Sequence, residues 1–236
     1  MRQRRRYTIA MSLAWFATVA TLLASTARAE HWELLYREGN VRVWEDTDAE
    51  RATFKAESVI DAHLFDVLAV LSDTARRPQW VGDLDESRIV AGDIQTKVVI
   101  YERFHLPWPL DDRDSMVESV ITQNLKQLEV AVHYREVTHP KAPPRDGVTR
   151  MPVVRGSMFF RYVDKQHAFA RIVMTLDVGG MLPDFAVQRF VRKGPARTLE
   201  GLVRQVGRTR GRYAAFVQAL VELARVQAVV PFEPPG

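Results

Sequence analysis

Apolar and polar side chains alternate along much of this chain, and a period of two is the mark of a β-strand with one buried face. Residues 41–45, 53–59, 87–91 and 96–105 read as strands on that pattern. Longer alternations follow. Leu128, Val130, Val132 and Tyr134 share one face, then Val154, Gly156, Met158, Phe160 and Tyr162, then Ala170, Ile172, Met174, Leu176 and Val178. One apolar and one wet face, strand after strand, predicts a curved antiparallel sheet wrapped around something apolar. Helical spacing interrupts it in two places. Leu64, Val67, Leu68 and Leu71 fall at i, i+3, i+4 and i+7, which predicts a helix ending near Asp73 with Asp61 as its N-cap. Residues 183–205 read as a second helix kinked at Gly194-Pro195, and residues 213–229 as a further amphipathic one. The proline-rich stretch 139–152 reads as a surface loop.

One position breaks the pattern. In the strand 96–105, Val98, Ile100, Glu102 and Phe104 point the same way, so a carboxylate sits on an otherwise apolar face. Burying it is costly unless something bonds to it. Its partner is either a ligand or a protein group such as Tyr134 or Tyr162. The strand then stops at Pro107-Trp108-Pro109, and the loop LPWPLDDRD carries Arg113 and Asp114 into the next strand.

The order β, β, α, a run of antiparallel strands and a C-terminal helix resembles the START family of lipid-transfer domains. The likeness includes Leu71-Ser72-Asp73 with Pro78-Gln79-Trp80, the PWPLDDRD loop and the ending GGMLPDF…GPARTLEGL. It implies an α+β helix-grip fold with a hydrophobic tunnel that holds one lipid-like molecule. On this reading the ligand-contacting residues are Glu102, Val98, Ile100, Phe104, Trp108, Tyr134, Met158, Phe160, Tyr162 and Met174. Arg113 and Asp114 would form the gate loop. Family members with a charged pair in the tunnel carry an arginine a few residues after the RD. Here that stretch is Ser115-Met116-Val117-Glu118-Ser119. Glu102 is therefore expected to lack a cationic partner, so that Glu102→Leu would leave stability equal or raised.

Composition and charge narrow the function. Residues 1–29 hold an arginine-rich start, an uncharged apolar run and Ala27-Arg28-Ala29, the pattern of a secretory signal peptide. The expected division is thus 1–29 leader, 30–212 START-like domain and 213–236 C-terminal helix and tail, in an exported, periplasmic protein. Without the leader the chain carries 28 basic and 29 acidic residues, a net of −1, which removes the argument for nucleic acid as a partner. The chain has no cysteine, and its six histidines form no HxH or HxxxH pair. No metal, other cofactor or catalytic residue is expected from the sequence.

Charge is nevertheless uneven. Residues 183–212 carry +6 against −7 in the rest of the mature chain. Arg192, Lys193 and Arg197 on that segment are candidates for peripheral contact with an anionic membrane, the alternative being a solvated helix face. The expected partner is a lipid or another hydrophobic small molecule, and the expected function is carriage. The alternative is a cyclase- or hydrolase-like enzyme on the same scaffold, working through Glu102 or a tyrosine.

Overall fold

A computed structural model describes residues 31–235, so the leader expected at 1–29 lies outside the described residues. Among the described residues ten strands make one sheet: β1 (Trp32–Glu38), β2 (Val41–Asp46), β3 (Ala52–Ile60), β4 (Leu84–Asp93), β5 (Lys97–Phe104), β6 (Asp112–Asn124), β7 (Glu129–Glu136), β8 (Val148–Arg150), β9 (Val153–Asp164) and β10 (His167–Asp177). Their order is β1-β2-β3-β10-β9-β7-β6-β5-β4, with β8 pairing in parallel beside the start of β6. The pairing of β3 with β10, from Ala52 opposite Leu176 to Ile60 opposite Ala168, joins the two ends of the domain. Alternation places the faces as the sequence predicts: Phe54, Ala56, Ser58 and Ile60 are buried along β3.

Helix α1 (Leu64–Ser72) crosses between β3 and β4, followed by a 3₁₀ turn, Thr74–Gln79. Its N-cap is His63, not Asp61. Ala62 N–H bonds the Ile60 carbonyl and delays the helix to Leu64, where His63 Nδ1 accepts the Phe65 N–H at 3.1 Å. After β10 the segment expected as one kinked helix divides into α2 (Asp184–Ala186), a wide π-turn (Val187–Arg192) and α3 (Gly194–Arg208). Pro195 sits in the first turn of α3, where its missing N–H costs nothing.

Helix α3 closes the core against α1, β2 and β3 through Leu199 and Leu202, which meet Val43, Ala56, Leu64 and Val67. Burial of each such side chain contributes about 1.5–3 kcal/mol. Gly201 permits this approach, since a Cβ there would lie 1.9 Å from the Trp80 carbonyl oxygen. Helix α4 (Ala214–Gln227) then runs back along α1 and buries Val217, Val221 and Ala224. Tyr213 Oη donates to Asp73 at the C-terminal end of α1 at 2.9 Å. Beyond α4, the Glu233 carbonyl is 3.0 Å from Nε2 of His63 at the other end of α1. Because His63 Nδ1 accepts a hydrogen bond, Nε2 carries the proton and donates.

Candidate functional site: a lined cavity with one ion pair

Sheet and helices enclose a cavity of about 250 Å³. Its floor follows the parity of the strands: Val98, Ile100, Glu102 and Phe104 from β5; Ser115, Val117, Ser119 and Ile121 from β6; Val130, Val132 and Tyr134 from β7. Val154, Met158 and Phe160 of β9 and Ile172, Met174 and Leu176 of β10 complete it. The opposite wall comes from Leu68, Leu71 and Ser72 of α1, Phe190 of the π-turn, Thr198 of α3 and Phe216 and Leu220 of α4.

Glu102 does have a cationic partner, which corrects the expectation from the sequence. Arg77, in the 3₁₀ turn after α1, places Nε 3.0 Å from Glu102 Oε1, both side chains being largely buried. The arginine comes from a different element than the strand where the family pattern puts it. Arg77 also lies over the Trp80 ring, its guanidinium carbon 5.9 Å from the centroid. The Arg77–Glu102 contact lacks the angle of a hydrogen bond. Arg77 Nε, Glu102 Oε1 and the Ser115 hydroxyl are thus buried without a hydrogen-bond partner among the described residues. Ser115 is the β6 residue directly opposite Glu102. The three groups form a polar spot in an apolar chamber, able both to donate to and to accept from a bound molecule.

Tyr134 stands beside this spot. Burial pushes its phenol proton affinity up, the Glu102 charge adds to that, and Arg77 opposes it. Its hydroxyl donates to the Val173 carbonyl at 3.4 Å, passing over Gly156, where a Cβ would lie 2.9 Å from the Tyr134 hydroxyl and 2.0 Å from the Val173 carbonyl oxygen. It does not bond Glu102.

Of the remaining sequence candidates, Trp108 is 92 % exposed on the loop between β5 and β6 and does not line the cavity. Tyr162 keeps the cavity-facing parity but lies beyond the cavity. It packs on His63 and Phe232, and its hydroxyl accepts the Glu233 N–H at 2.9 Å. Arg113 is buried and donates to the carbonyls of Asp111, Val178 and Gly179 at 2.7, 2.9 and 3.2 Å. That bridge ties the Trp108 loop to the turn after β10. Asp114 faces away from the cavity and accepts from Arg150 Nε and Nη2 at 2.5 and 3.1 Å.

Arg192 and Lys193 lie at the end of the π-turn, partly to fully exposed, whereas Arg197 lines the cavity and is committed to an ion pair with Asp83. Asp83 also receives Arg189 Nη2 at 2.8 Å. Burial works against the Asp83 charge, but the hydrogen bonds and charges of Arg197 and Arg189 outweigh it and hold the carboxyl below its ordinary range. Sequence reasoning missed Asp83 and Arg77. Asp83 carries a φ of 60°, a backbone conformation not visible as a pattern.

A ten-stranded sheet gripping its C-terminal helices over a lined chamber defines the α+β helix-grip class of folds. The START domain family matches residues 17–212, and the chain belongs to that family. The STAR-related lipid transfer protein from Xanthomonas axonopodis is 23 % identical, with a TM-score of 0.64, over 74 % of this chain and 98 % of its own. Human STARD10 is 19 % identical, with a TM-score of 0.69, over 86 % of this chain and 84 % of its own. An uncharacterized protein of Pseudomonas aeruginosa is 23 % identical across 76 % of this chain and 89 % of its own length.

Proposed function

We propose that this protein is an exported carrier that encloses one hydrophobic ligand and moves it between membranes, with no chemical step. The observation that carries this reading is a mostly apolar lining that holds, at Arg77, Glu102 and Ser115, three buried polar atoms without a hydrogen-bond partner among the described residues. Each buried CH₂ of a ligand contributes about 0.8 kcal/mol, close to what a bilayer offers. Transfer then turns on small differences and on opening of the chamber. Arg77, Glu102 and Ser115 would fix the one polar end of the ligand, because a group that both donates and accepts would satisfy three atoms otherwise left buried and unbonded.

The contact with a membrane is proposed at the rim bridged by Arg113. Trp108, Met181 and Phe185 flank that bridge in sequence and are 92 %, 98 % and 56 % exposed, and Arg192 and Lys193 follow. Apolar side chains beside cations suit an anionic bilayer surface. Residues 1–29 supply the export signal in this reading.

Extraction of protein purified from its own host, followed by lipid mass spectrometry, tests the proposal. A co-purifying lipid in near-stoichiometric amount is expected. An empty chamber that nevertheless turns over an added hydrophobic substrate would replace the carrier with an enzyme. Export is tested separately: the mature protein should begin at Glu30 or within a residue or two, and an intact Met1 form in the membrane fraction would make the leader an anchor.

A further inference from the structure

The family match ends at residue 212, yet the cavity wall does not. We infer that α4, which follows that boundary, is a ligand-contacting wall, and that Phe216 and Leu220 set the length of apolar tail the cavity accepts. The inference rests on the cavity being a lipid site, as proposed above.

Geometry carries it. Alternate residues of β6 line the cavity from Arg113 to Gln123, a path of roughly 33 Å at about 3.3 Å per residue. Glu102 faces Ser115 near the Arg113 end, so a ligand held there by its polar group directs its tail toward Gln123. Helix α4 follows the same course. It starts where Tyr213 binds Asp73, close in sequence to Arg77. It ends where Val229 and Val230 N–H groups bond the Lys126 carbonyl, in the turn just beyond Gln123. Phe216 and Leu220 are one helical turn apart, half-buried, and line the cavity together with Leu68 and Leu71 of α1.

The wall is fixed in place rather than draped. Val217, Val221 and Ala224 seat α4 in the core from the adjoining positions, so trimming Phe216 and Leu220 leaves that seat intact. The tail beyond it is held by His63 and Tyr162 through Glu233. Phe232 packs 6.0 Å from the Phe65 ring and 6.2 Å from the Tyr162 ring. A firm wall of two bulky side chains is a limit on ligand size.

The test uses the full mature chain and displacement of a polarity-sensitive fluorescent fatty acid by saturated fatty acids and monoacylglycerols, from lauric to arachidic. Phe216→Ala with Leu220→Ala should move the preference toward longer members, which gain about tenfold, the effect of burying roughly two further methylenes. Phe216→Trp should move it toward shorter members by a similar factor. An unchanged ranking in all three proteins, with the wild type binding the series, would overturn the inference and leave the carrier reading standing. If the wild type binds no member, the inference is overturned for single-chain lipids, and the carrier reading is decided separately by the co-purified lipid. Should the double alanine variant fail to fold, the tryptophan variant decides alone.

Discussion

Arg77 Nε lies 3.0 Å from Glu102 Oε1, joining the turn after the first helix to the floor of the chamber. The pair reverses the expectation for Glu102→Leu. Removing either partner now leaves the other charge buried and unopposed, a loss of about 3–5 kcal/mol. Glu102→Leu and Arg77→Met should each lower the urea midpoint by a corresponding amount. The double variant, with both charges replaced by apolar side chains, should return close to wild-type stability while binding a ligand with a less polar head, or none. Wild-type stability in Glu102→Leu alone would show that the pair does not hold in solution.

Gly201→Ala sets helix propensity against sterics. Alanine is favoured over glycine in a helix interior by about 1 kcal/mol. The new Cβ, however, would lie 1.9 Å from the Trp80 carbonyl oxygen, a backbone atom that cannot swing aside. Helix α3 must shift away from the 3₁₀ turn, and overpacking of this kind costs about 1–3 kcal/mol or more. Thermal melting should therefore show a lowered Tm despite the better helix former.

His63 is held neutral. Burial pulls its pKa from the ordinary 6.5 to about 4, with the Glu233 carbonyl opposing that pull. A native pKa below the unfolded one means that the stabilisation is complete above pH 6.5 and is lost as pH falls toward about 4. Protonation would also put a hydrogen on Nδ1, which now accepts the Phe65 N–H. The urea midpoint should decline across that window. In His63→Asn, which keeps an N-cap acceptor but does not titrate, the decline should be shallower.

Asp83 fastens the helical wall by receiving both Arg189 and Arg197. Asp83→Asn suits the left-handed backbone at this position and removes the charge. The wall should then part more readily, and stopped-flow release of a bound fluorescent fatty acid should quicken several-fold. Charge reversal at Arg192 and Lys193 should instead leave release in solution nearly unchanged. It should slow transfer to anionic vesicles, an effect that fades as salt shortens the Debye length from about 10 Å at 0.1 M to about 3 Å at 1 M.

Strand parity was the most legible feature of the sequence. The faces of β5, β9 and β10 were readable from alternation alone, and with them Val98, Ile100, Glu102, Phe104, Met158, Phe160 and Met174 as lining residues. Parity says which face a side chain takes but not where along the strand the cavity stops, so Tyr162 was placed one step too far. Trp108 lies in a loop, where no period applies. Arg77 sits 25 positions before Glu102, and only the packing of the 3₁₀ turn under the sheet brings them together. His63 displaced Asp61 as cap because a backbone bond at Ala62 delayed the helix, a local event that side-chain pattern does not encode.

The pairing of β3 with β10 bears on synthesis as well as on shape. Strands β1, β2 and β3 pair with one another locally, but the second main-chain partner of β3 is β10, more than a hundred residues downstream, so the sheet closes only once β10 has been made. Even then the Nε2 bond of His63, at the head of the first helix, waits for Glu233, which lies beyond β10 in the chain. Such long-range contacts slow folding. For the exported carrier proposed above, that delay would keep the chain open long enough to be threaded across a membrane.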